Sequence, residues 1–223
     1  FQDNGGVSKA VVNIYGRITS MTRRVVNVFE EPVAIEIPTP MLGEAANRRS
    51  IYNKAVFLQP GSYRLNIVAK DVVGGTMNNY EMALHVPRYE DEKLAASSLM
   101  LADLIEKVPT RNIGSGQFVI GDTKVRPRID SSFKRNEKIG IYAQFYNFVP
   151  DEKTQRPNGE ISYQVVKNGS NEQVFEFKEE LKDLPGASAQ QVTVEKVLPL
   201  AKLEPGQYTL KMTVVDRNSN QTL

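Results

Sequence analysis

The sequence predicts an all-β protein made of two tandem sandwich domains. Short runs rich in Val, Ile, Tyr and Phe alternate apolar with polar residues, which is typical of strands with one buried face. Gly, Pro, Asn and Asp separate these runs, and one motif occurs twice. A chain of 223 residues has room for one large or two small domains, and 40% hydrophobic residues suffice for packed cores.

The first predicted domain covers residues 1–87. Tyr63, Leu65 and Ile67 alternate with Arg64 and Asn66, so one face of that strand should point toward a core. The predicted strands of this domain are Val11–Ile18, Val25–Phe29, Val33–Ile37, Ala55–Leu58, Tyr63–Val68 and Tyr80–Val86.

Pro87 precedes a polar stretch, and residues 88–93 are predicted to be a linker. The second predicted domain covers residues 94–223. Its predicted strands are Phe118–Ile120, Lys124–Arg126, Lys138–Phe148, Glu160–Val166, Val174–Phe177 and Val192–Val194.

The segment 94–108 is ambiguous. Its apolar residues lie near helical spacing, and several are good helix formers, whereas a strand through 98–102 would complete the sandwich. Both alternatives remain open at this stage, with the strand slightly favoured.

An internal repeat supports two copies of one fold unit. Leu58–Leu65 matches Leu203–Leu210 without a gap, and the same offset aligns Asp71 with Asp216. In each copy Pro-Gly makes a tight turn, and the following Tyr can hydrogen-bond the preceding loop, as in the tyrosine corner of an immunoglobulin-like sandwich. The structural residues assigned by this motif are Pro60, Gly61, Tyr63, Pro205, Gly206 and Tyr208.

A further strand follows the first copy, but the second copy is followed only by a turn before Leu223. We therefore expect the second immunoglobulin-like sandwich to lack its last strand, or to receive it from residues outside the chain.

Composition excludes several kinds of chemistry. Without Cys the chain has no disulfide, thiolate metal site or cysteine nucleophile, and its single His leaves one candidate catalytic base. That residue, His85, lies in an alternating strand on the face opposite Leu84 and Val86, and the sequence has no nucleophile-elbow motif. We expect neither an enzyme nor a cofactor, and a net charge of +2 gives no strong attraction to nucleic acid.

Two motifs resemble functional sites but have a simpler interpretation. Ser131 and Lys134 have Ser-x-x-Lys spacing, yet the companion motifs of that acylating chemistry are absent. Asp216, Asn218 and Asn220 place oxygens at alternating positions, as at the start of a calcium loop. Because the loop lacks the expected glycine and glutamate, a plain hairpin turn is favoured over a calcium site.

Basic residues cluster around one predicted strand. Lys124, Arg126 and Arg128 alternate onto one face, with Lys134 and Arg135 nearby. This cluster is a candidate interaction surface for an anionic polymer or an acidic protein. The favoured alternative is a solvated face that keeps a strand edge soluble.

Several stretches resemble the bacterial GWxTD domain-containing proteins. They are Val12–Ile18, Leu94–Asp103, Gln117–Arg128, Phe133–Lys138, Tyr142–Asn147 and Asp151–Thr154. The Gly-Trp-x-Thr-Asp segment itself is absent, in keeping with a chain that has no Trp. The resemblance implies the C-terminal β-sandwich portion of an exported protein (periplasmic, outer-surface or secreted), and it implies no catalytic residues.

The sequence is thus interpreted as a non-catalytic module for protein–protein interaction, assembly or spacing. Its partner should be another protein or an assembly, and no apolar run is long enough to span a bilayer. The alternative is a ligand- or carbohydrate-binding accessory domain of a larger enzyme. Nine Tyr could supply stacking rings for that role, although the absence of Trp weakens it.

Overall fold

The computed structural model describes residues 1–45, 49–170 and 172–223, and confirms the all-β class. By its internal contacts the chain divides into two compact units, Phe1–Arg88 and Tyr89–Leu223. The division lies at the start of the polar stretch interpreted as a linker.

The first unit contains one antiparallel sheet. Its strands are β1 (Gln2–Asp3), β2 (Val7–Ser20), β3 (Val25–Pro38), β4 (Gly61–Asp71) and β5 (Met77–Val86). The order across the sheet is β3-β2-β4-β5, with β1 beside the beginning of β2. A short 3-10 turn (Thr39–Met41) and a single helical turn, α1 (Leu42–Ala45), follow β3.

This sheet has one apolar and one polar face. The register places Ile18 of β2, Leu65 of β4 and Met82 of β5 side by side on the apolar face. Ile18 is buried there, whereas the opposite face carries exposed ion pairs such as that between Lys9 and Glu36. The period-2 pattern therefore sorts side chains between the faces as the sequence predicts.

The described strands of this unit form no second sheet, which corrects the two-sheet prediction for residues 1–87. The predicted strand Ala55–Leu58 is wrong, because this segment has no regular secondary structure and Phe57 is 98% exposed. The segment instead crosses the apolar face, where Tyr52 and Lys54 both donate hydrogen bonds to Glu31. An extended chain that covers a sheet carries the same apolar spacing as a strand.

The two strands predicted at Val25–Phe29 and Val33–Ile37 are one continuous strand, β3. Pro32 lies between the two predicted strands and cannot donate a hydrogen bond. It is accommodated here because its nitrogen faces away from β2, at the edge of the sheet.

The second unit contains ten strands in two antiparallel sheets. They are β6 (Ala95–Ala96), β7 (Met100–Lys107), β8 (Val119–Ile120), β9 (Thr123–Pro127), β10 (Lys138–Tyr146), β11 (Gly159–Lys167), β12 (Glu172–Glu180), β13 (Gln191–Pro199), β14 (Tyr208–Asp216) and β15 (Gln221–Thr222). One sheet has the order β13-β10-β7-β9-β8 with β6 beside β10, and the other has the order β12-β11-β14-β15. Two 3-10 turns occupy Thr110–Asn112 and Leu181–Asp183.

The two sheets of this unit enclose its main core. Phe145 and Val192 are paired in the first sheet, and Ile161 and Val214 are paired in the second. All four belong to one buried cluster, which also contains Tyr163. Residues 89–223 therefore form a two-sheet β-sandwich.

The segment 94–108, for which helix and strand were both open, contains the strands β6 and β7. The segment is strand rather than helix, so the favoured alternative is confirmed. Ala102 is buried, and Ile105 packs against the same cluster, although a regular alternation would place residues three apart on opposite faces. A bulge between Ala102 and Leu104 shifts the register, and this shift made the apolar spacing look helical.

The second copy of the repeat is followed by the two-residue strand β15, whereas the first copy is followed by the ten-residue strand β5, so the expectation that the second unit lacks its last strand stays a prediction. Gln221 and Thr222 pair with Asp216 and Val215 of β14, and the backbones of Leu223 and Val214 exchange two hydrogen bonds. The hairpin β14–β15 thus has the same place after the repeat as β4–β5 in the first unit.

The core predicts a difference between two valines of β13. Val192 is fully buried and Val197 is half exposed on the same strand. Val192→Ala should lower the free energy of unfolding by about 2 kcal/mol, because it removes buried methyl groups and leaves a cavity. Val197→Ala should cost roughly 0.5 kcal/mol or less. Urea unfolding followed by circular dichroism measures both, and equal losses would contradict the assignment of this core.

Candidate interaction surface

The apolar face of the first sheet is open on its β5 side. Tyr80 is 62% exposed and Met82 is 40% exposed, although both share a face with buried Ile18. Large apolar side chains left exposed along one side of a sheet are typical of a surface that contacts another element or another chain.

The two edges of this sheet differ in the hydrogen bonds they can offer. At the β3 edge, Thr39 N–H donates to Gly6 O at 2.9 Å, and this bond continues the β2–β3 register. Alternate residues of a strand point to opposite edges, so even-numbered residues of β3 point away from β2. Two of these are Pro32 and Pro38, which have no N–H to offer. Prolines of this kind protect an edge from pairing.

The β5 edge has no such protection. Asp71 N–H donates to Thr76 O at 2.8 Å, so even-numbered residues of β5 bond to β4. The outward-pointing residues are Met77, Asn79, Glu81, Ala83 and His85. Residues 77–86 contain no Pro and no Lys, and the β4–β5 pairing has no bulge. An edge this long without those features is suited to accept another strand.

The polar face beside this edge carries modest charge. His85 lies opposite Ser62, and its Nδ1 is 3.3 Å from the Ser62 hydroxyl. Glu81 accepts a hydrogen bond of 3.3 Å from Arg64 through one carboxylate oxygen. His85 is therefore part of an exposed strand surface, and its described side-chain partner is the Ser62 hydroxyl.

The segment that crosses the apolar face is held at one point by charge. Glu31 of β3 is partly exposed on the apolar face and accepts hydrogen bonds from Lys54 and Tyr52. The hydrogen bond from Lys54, followed by that from Tyr52, lowers the pKa of Glu31 below its usual 4.5. Burial and the Glu31 carboxylate raise the pKa of Tyr52 to about 12. The contact holds the covering segment on the β3 side and leaves the β5 side open.

The repeat makes the same tyrosine hydrogen bond in both units. Tyr63 donates its hydroxyl hydrogen to Gln59 O, and Tyr208 donates to Glu204 O, each at 2.7 Å. Gly61 has a φ of 155°, and a side chain there would approach the ring of Tyr63. The Pro-Gly-x-Tyr motif therefore shapes the entry to β4 and to β14, and it is structural in both places.

The candidate calcium ligands form a hydrogen-bonded turn. Asp216 is fully buried, and its carboxylate accepts hydrogen bonds from Val149 N–H, Asn218 N–H and the Ser219 hydroxyl. Asn218 also bonds Val149 O, and Asn220 lies in the turn with a φ of 55°. Among the described residues there is no cluster of three or more His, Cys, Asp or Glu that could hold a metal ion. These oxygens therefore serve the β14–β15 turn.

The predicted basic surface is neutralised by nearby carboxylates, some of them distant in sequence. Four of its five residues lie within ion-pair distance of an acidic side chain, and the backbone N–H of Lys134 bonds Glu137. The ion pairs are Lys124–Glu106, Arg126–Asp103, Arg128 with Asp103, Asp130 and Glu137, and Arg135–Glu204. This face therefore carries balanced charge, and its exposed ion pairs contribute little to stability.

A partly buried polar cluster connects β7, β9 and β13 in the second unit. Glu195 accepts hydrogen bonds from the Thr123 hydroxyl at 2.6 Å and from Lys107 at 3.1 Å. Burial disfavours the charged form of Lys107, but hydrogen bonds to Glu195 and Asp122 outweigh it and raise the pKa of the amine. Burial, with Glu195 nearby, raises the pKa of Tyr142 to about 12. The hydrogen bonds among Lys107, Thr123 and Glu195 thus join three strands of this sheet.

The Ser-x-x-Lys pair and two of the tyrosine rings considered in the sequence do not form sites in this structure. Ser131 and Lys134 lie in the loop between β9 and β10, without the helix that Ser-x-x-Lys chemistry needs. Tyr142 and Tyr163 are buried, so their rings are not available to stack on a sugar. In residues 1–45, 49–170 and 172–223, every helix is too short or too polar to cross a membrane.

Sequence reasoning missed the β5 edge. The strand itself was predicted, but its position at the side of the sheet depends on which strands pair, and a sequence does not state that directly. The one available signal was the contrast between Pro32 and Pro38 in β3 and the absence of proline in residues 77–86.

Comparison of the chain with protein-family models and with curated protein sequences finds no match. The resemblance to GWxTD domain-containing proteins therefore stays a prediction.

The hydrogen bonds of Asp216 predict that it stabilises the second unit without calcium. Asp216→Ala should lower the free energy of unfolding by about 3 kcal/mol, because buried N–H groups lose their acceptor. Its counterpart Asp71→Ala, at an exposed turn, should cost less. Urea unfolding with and without calcium measures both, and stabilisation of the native chain by calcium that disappears in Asp216→Ala would contradict the structural role.

The lowered pKa of Glu31 predicts a pH-dependent difference between two variants. Because the folded pKa lies below the ordinary 4.5, the stabilisation is present above that value and is lost as pH falls through the folded pKa. The melting temperature of Glu31→Gln should therefore lie below that of the unmodified chain at pH 7 and approach it in acidic buffer below the folded pKa. A gap that is the same at both pH values would show that Glu31 does not act through its charge. In a Lys54→Met background the gap at pH 7 should shrink.

Proposed function

We propose that the chain is a non-catalytic interaction module whose first sheet accepts a β-strand from a protein partner along β5. The observation that carries this proposal is the unprotected β5 edge next to exposed Tyr80 and Met82. The second unit is a sandwich that would act as a spacer or support.

Backbone geometry supports strand addition at β5. The outward N–H groups of Glu81, Ala83 and His85 donate no hydrogen bond to a described residue, and their C=O groups accept none. A bound strand would satisfy these groups through a main-chain ladder, and its alternate side chains would contact Tyr80 and Met82. Affinity would come from the ladder, and specificity from the apolar contacts.

The β12 edge of the second unit is less suited to strand addition than the β5 edge. Strand β12 is also an edge strand, but it carries five charged residues, at Glu172, Glu176, Lys178, Glu179 and Glu180. Charges of this density along an edge discourage pairing. An exported location and a role in a larger assembly are part of the proposal and follow from the GWxTD resemblance alone.

Selection of peptides tests the proposal directly. Random 12-residue peptides displayed on phage are selected on the immobilised chain, and the enriched sequences should alternate apolar and polar residues. They should bind the Ala83→Pro variant about tenfold more weakly or worse, because proline removes an outward N–H and bends the edge.

Ala34→Pro is the matched control. Ala34 is an exposed, outward-pointing alanine at the β3 edge of the same sheet, so proline there should leave peptide binding unchanged. Enriched peptides that bind Ala83→Pro as tightly as the unmodified chain, or no enrichment at all, would contradict the proposed function.

A further inference from the structure

We infer that the strand accepted by β5 is β5 of a second copy of this chain, paired antiparallel about a two-fold axis through Ala83. This inference rests on the proposed function, since it names the partner of the same edge. It joins two first-unit sheets into one continuous sheet.

The register follows from charge. With Ala83 opposite Ala83 of the second copy, Glu81 lies opposite His85 of the second copy on the polar face, and the reciprocal pair forms by symmetry. Among the described residues His85 uses only Nδ1, toward Ser62, and Glu81 uses only one carboxylate oxygen, toward Arg64. The remaining imidazole nitrogen and carboxylate oxygen can therefore meet across the interface.

The apolar face is complementary in the same register. Tyr80 lies opposite Val86 of the second copy, and Met82 lies opposite Leu84 of the second copy. Tyr80 and Met82 are the side chains that one chain leaves exposed. Aromatic and aliphatic cross-strand pairs of this kind stabilise antiparallel sheets.

The ladder also ends without unsatisfied donors. Asn79 would face Pro87 of the second copy, which has no N–H. Asn79 N–H already donates to the side-chain oxygen of Asn78 at 2.8 Å. Pairing is therefore confined to residues 81–85, where every outward backbone group finds a partner.

Neighbouring registers are less favourable. A two-fold axis at Glu81 would place two carboxylates directly opposite each other, which is destabilising. An axis at Met82 would place Glu81 opposite Ala83 and leave both Glu81 and His85 without a charged neighbour across the interface. The Ala83 register alone joins opposite polar partners on one face and apolar partners on the other.

Single cysteines test the register, because the natural chain contains none. Ala83→Cys places two cysteines across the axis, where Cα atoms of a hydrogen-bonded pair lie about 5.5 Å apart, within disulfide range. Mild oxidation should therefore convert Ala83→Cys to a covalent dimer, as seen by non-reducing electrophoresis. Ala34→Cys, at the β3 edge, should stay monomeric.

A mixing experiment excludes random collision. Glu81→Cys and His85→Cys should each give little dimer alone, because like positions would lie about 14 Å apart in this register. An equimolar mixture of the two should cross-link readily. Oxidation of Ala83→Cys no faster than of Ala34→Cys, or a fastest reaction of Glu81→Cys alone, would overturn the inference.

The two proposals fail separately. Peptides that require an intact β5 edge, together with no cross-linking at Ala83→Cys, would leave the interaction module standing and reject the second copy as partner. Loss of both results would reject the edge itself.

Discussion

The pairing of backbone groups at sheet edges is the constraint on which this structure depends. Each residue of a strand points its N–H and C=O groups to one edge, and a sheet is finished only where those groups are paired, blocked or solvated. In the first unit β3 is blocked by two prolines on its outward side, whereas β5 presents its outward groups without a block. In the second unit, charged side chains protect the β12 edge instead.

The coverage of the apolar face of the first sheet also differs between its β3 side and its β5 side. The segment 49–60 covers the β3 side, held by Glu31, Tyr52 and Lys54. Phe29 lies over Gly16 on that side, where any larger residue in place of Gly16 would meet the ring. On the β5 side, Tyr80 and Met82 of this face stay exposed. On the β3 side the face is covered by the segment 49–60 and the edge is blocked by proline. On the β5 side both the face and the edge are open.

Local features of this fold could be predicted from sequence, and features that depend on strand pairing could not. The alternation in β2, β4 and β5 and the Pro-Gly-x-Tyr turns are encoded within a few residues, so they were recognised correctly. The basic stripe at Lys124 and Arg126 was misleading because its carboxylate partners on β7 lie about twenty residues away in sequence. The continuity of β3 through Pro32 could not be predicted, because only the sheet shows that the proline nitrogen faces outward. The role of Asp216 was invisible for the same reason, since Val149 is brought to it by the fold.

Amide hydrogen exchange at increasing protein concentration tests the central claim most directly. The amides of Tyr80, Met82 and Leu84 bond to β4 and should be protected at every concentration, which makes them an internal reference. Those of Glu81, Ala83 and His85 should exchange rapidly in dilute solution and become protected as the concentration rises. Rapid exchange of the three outward amides at every concentration would contradict the account.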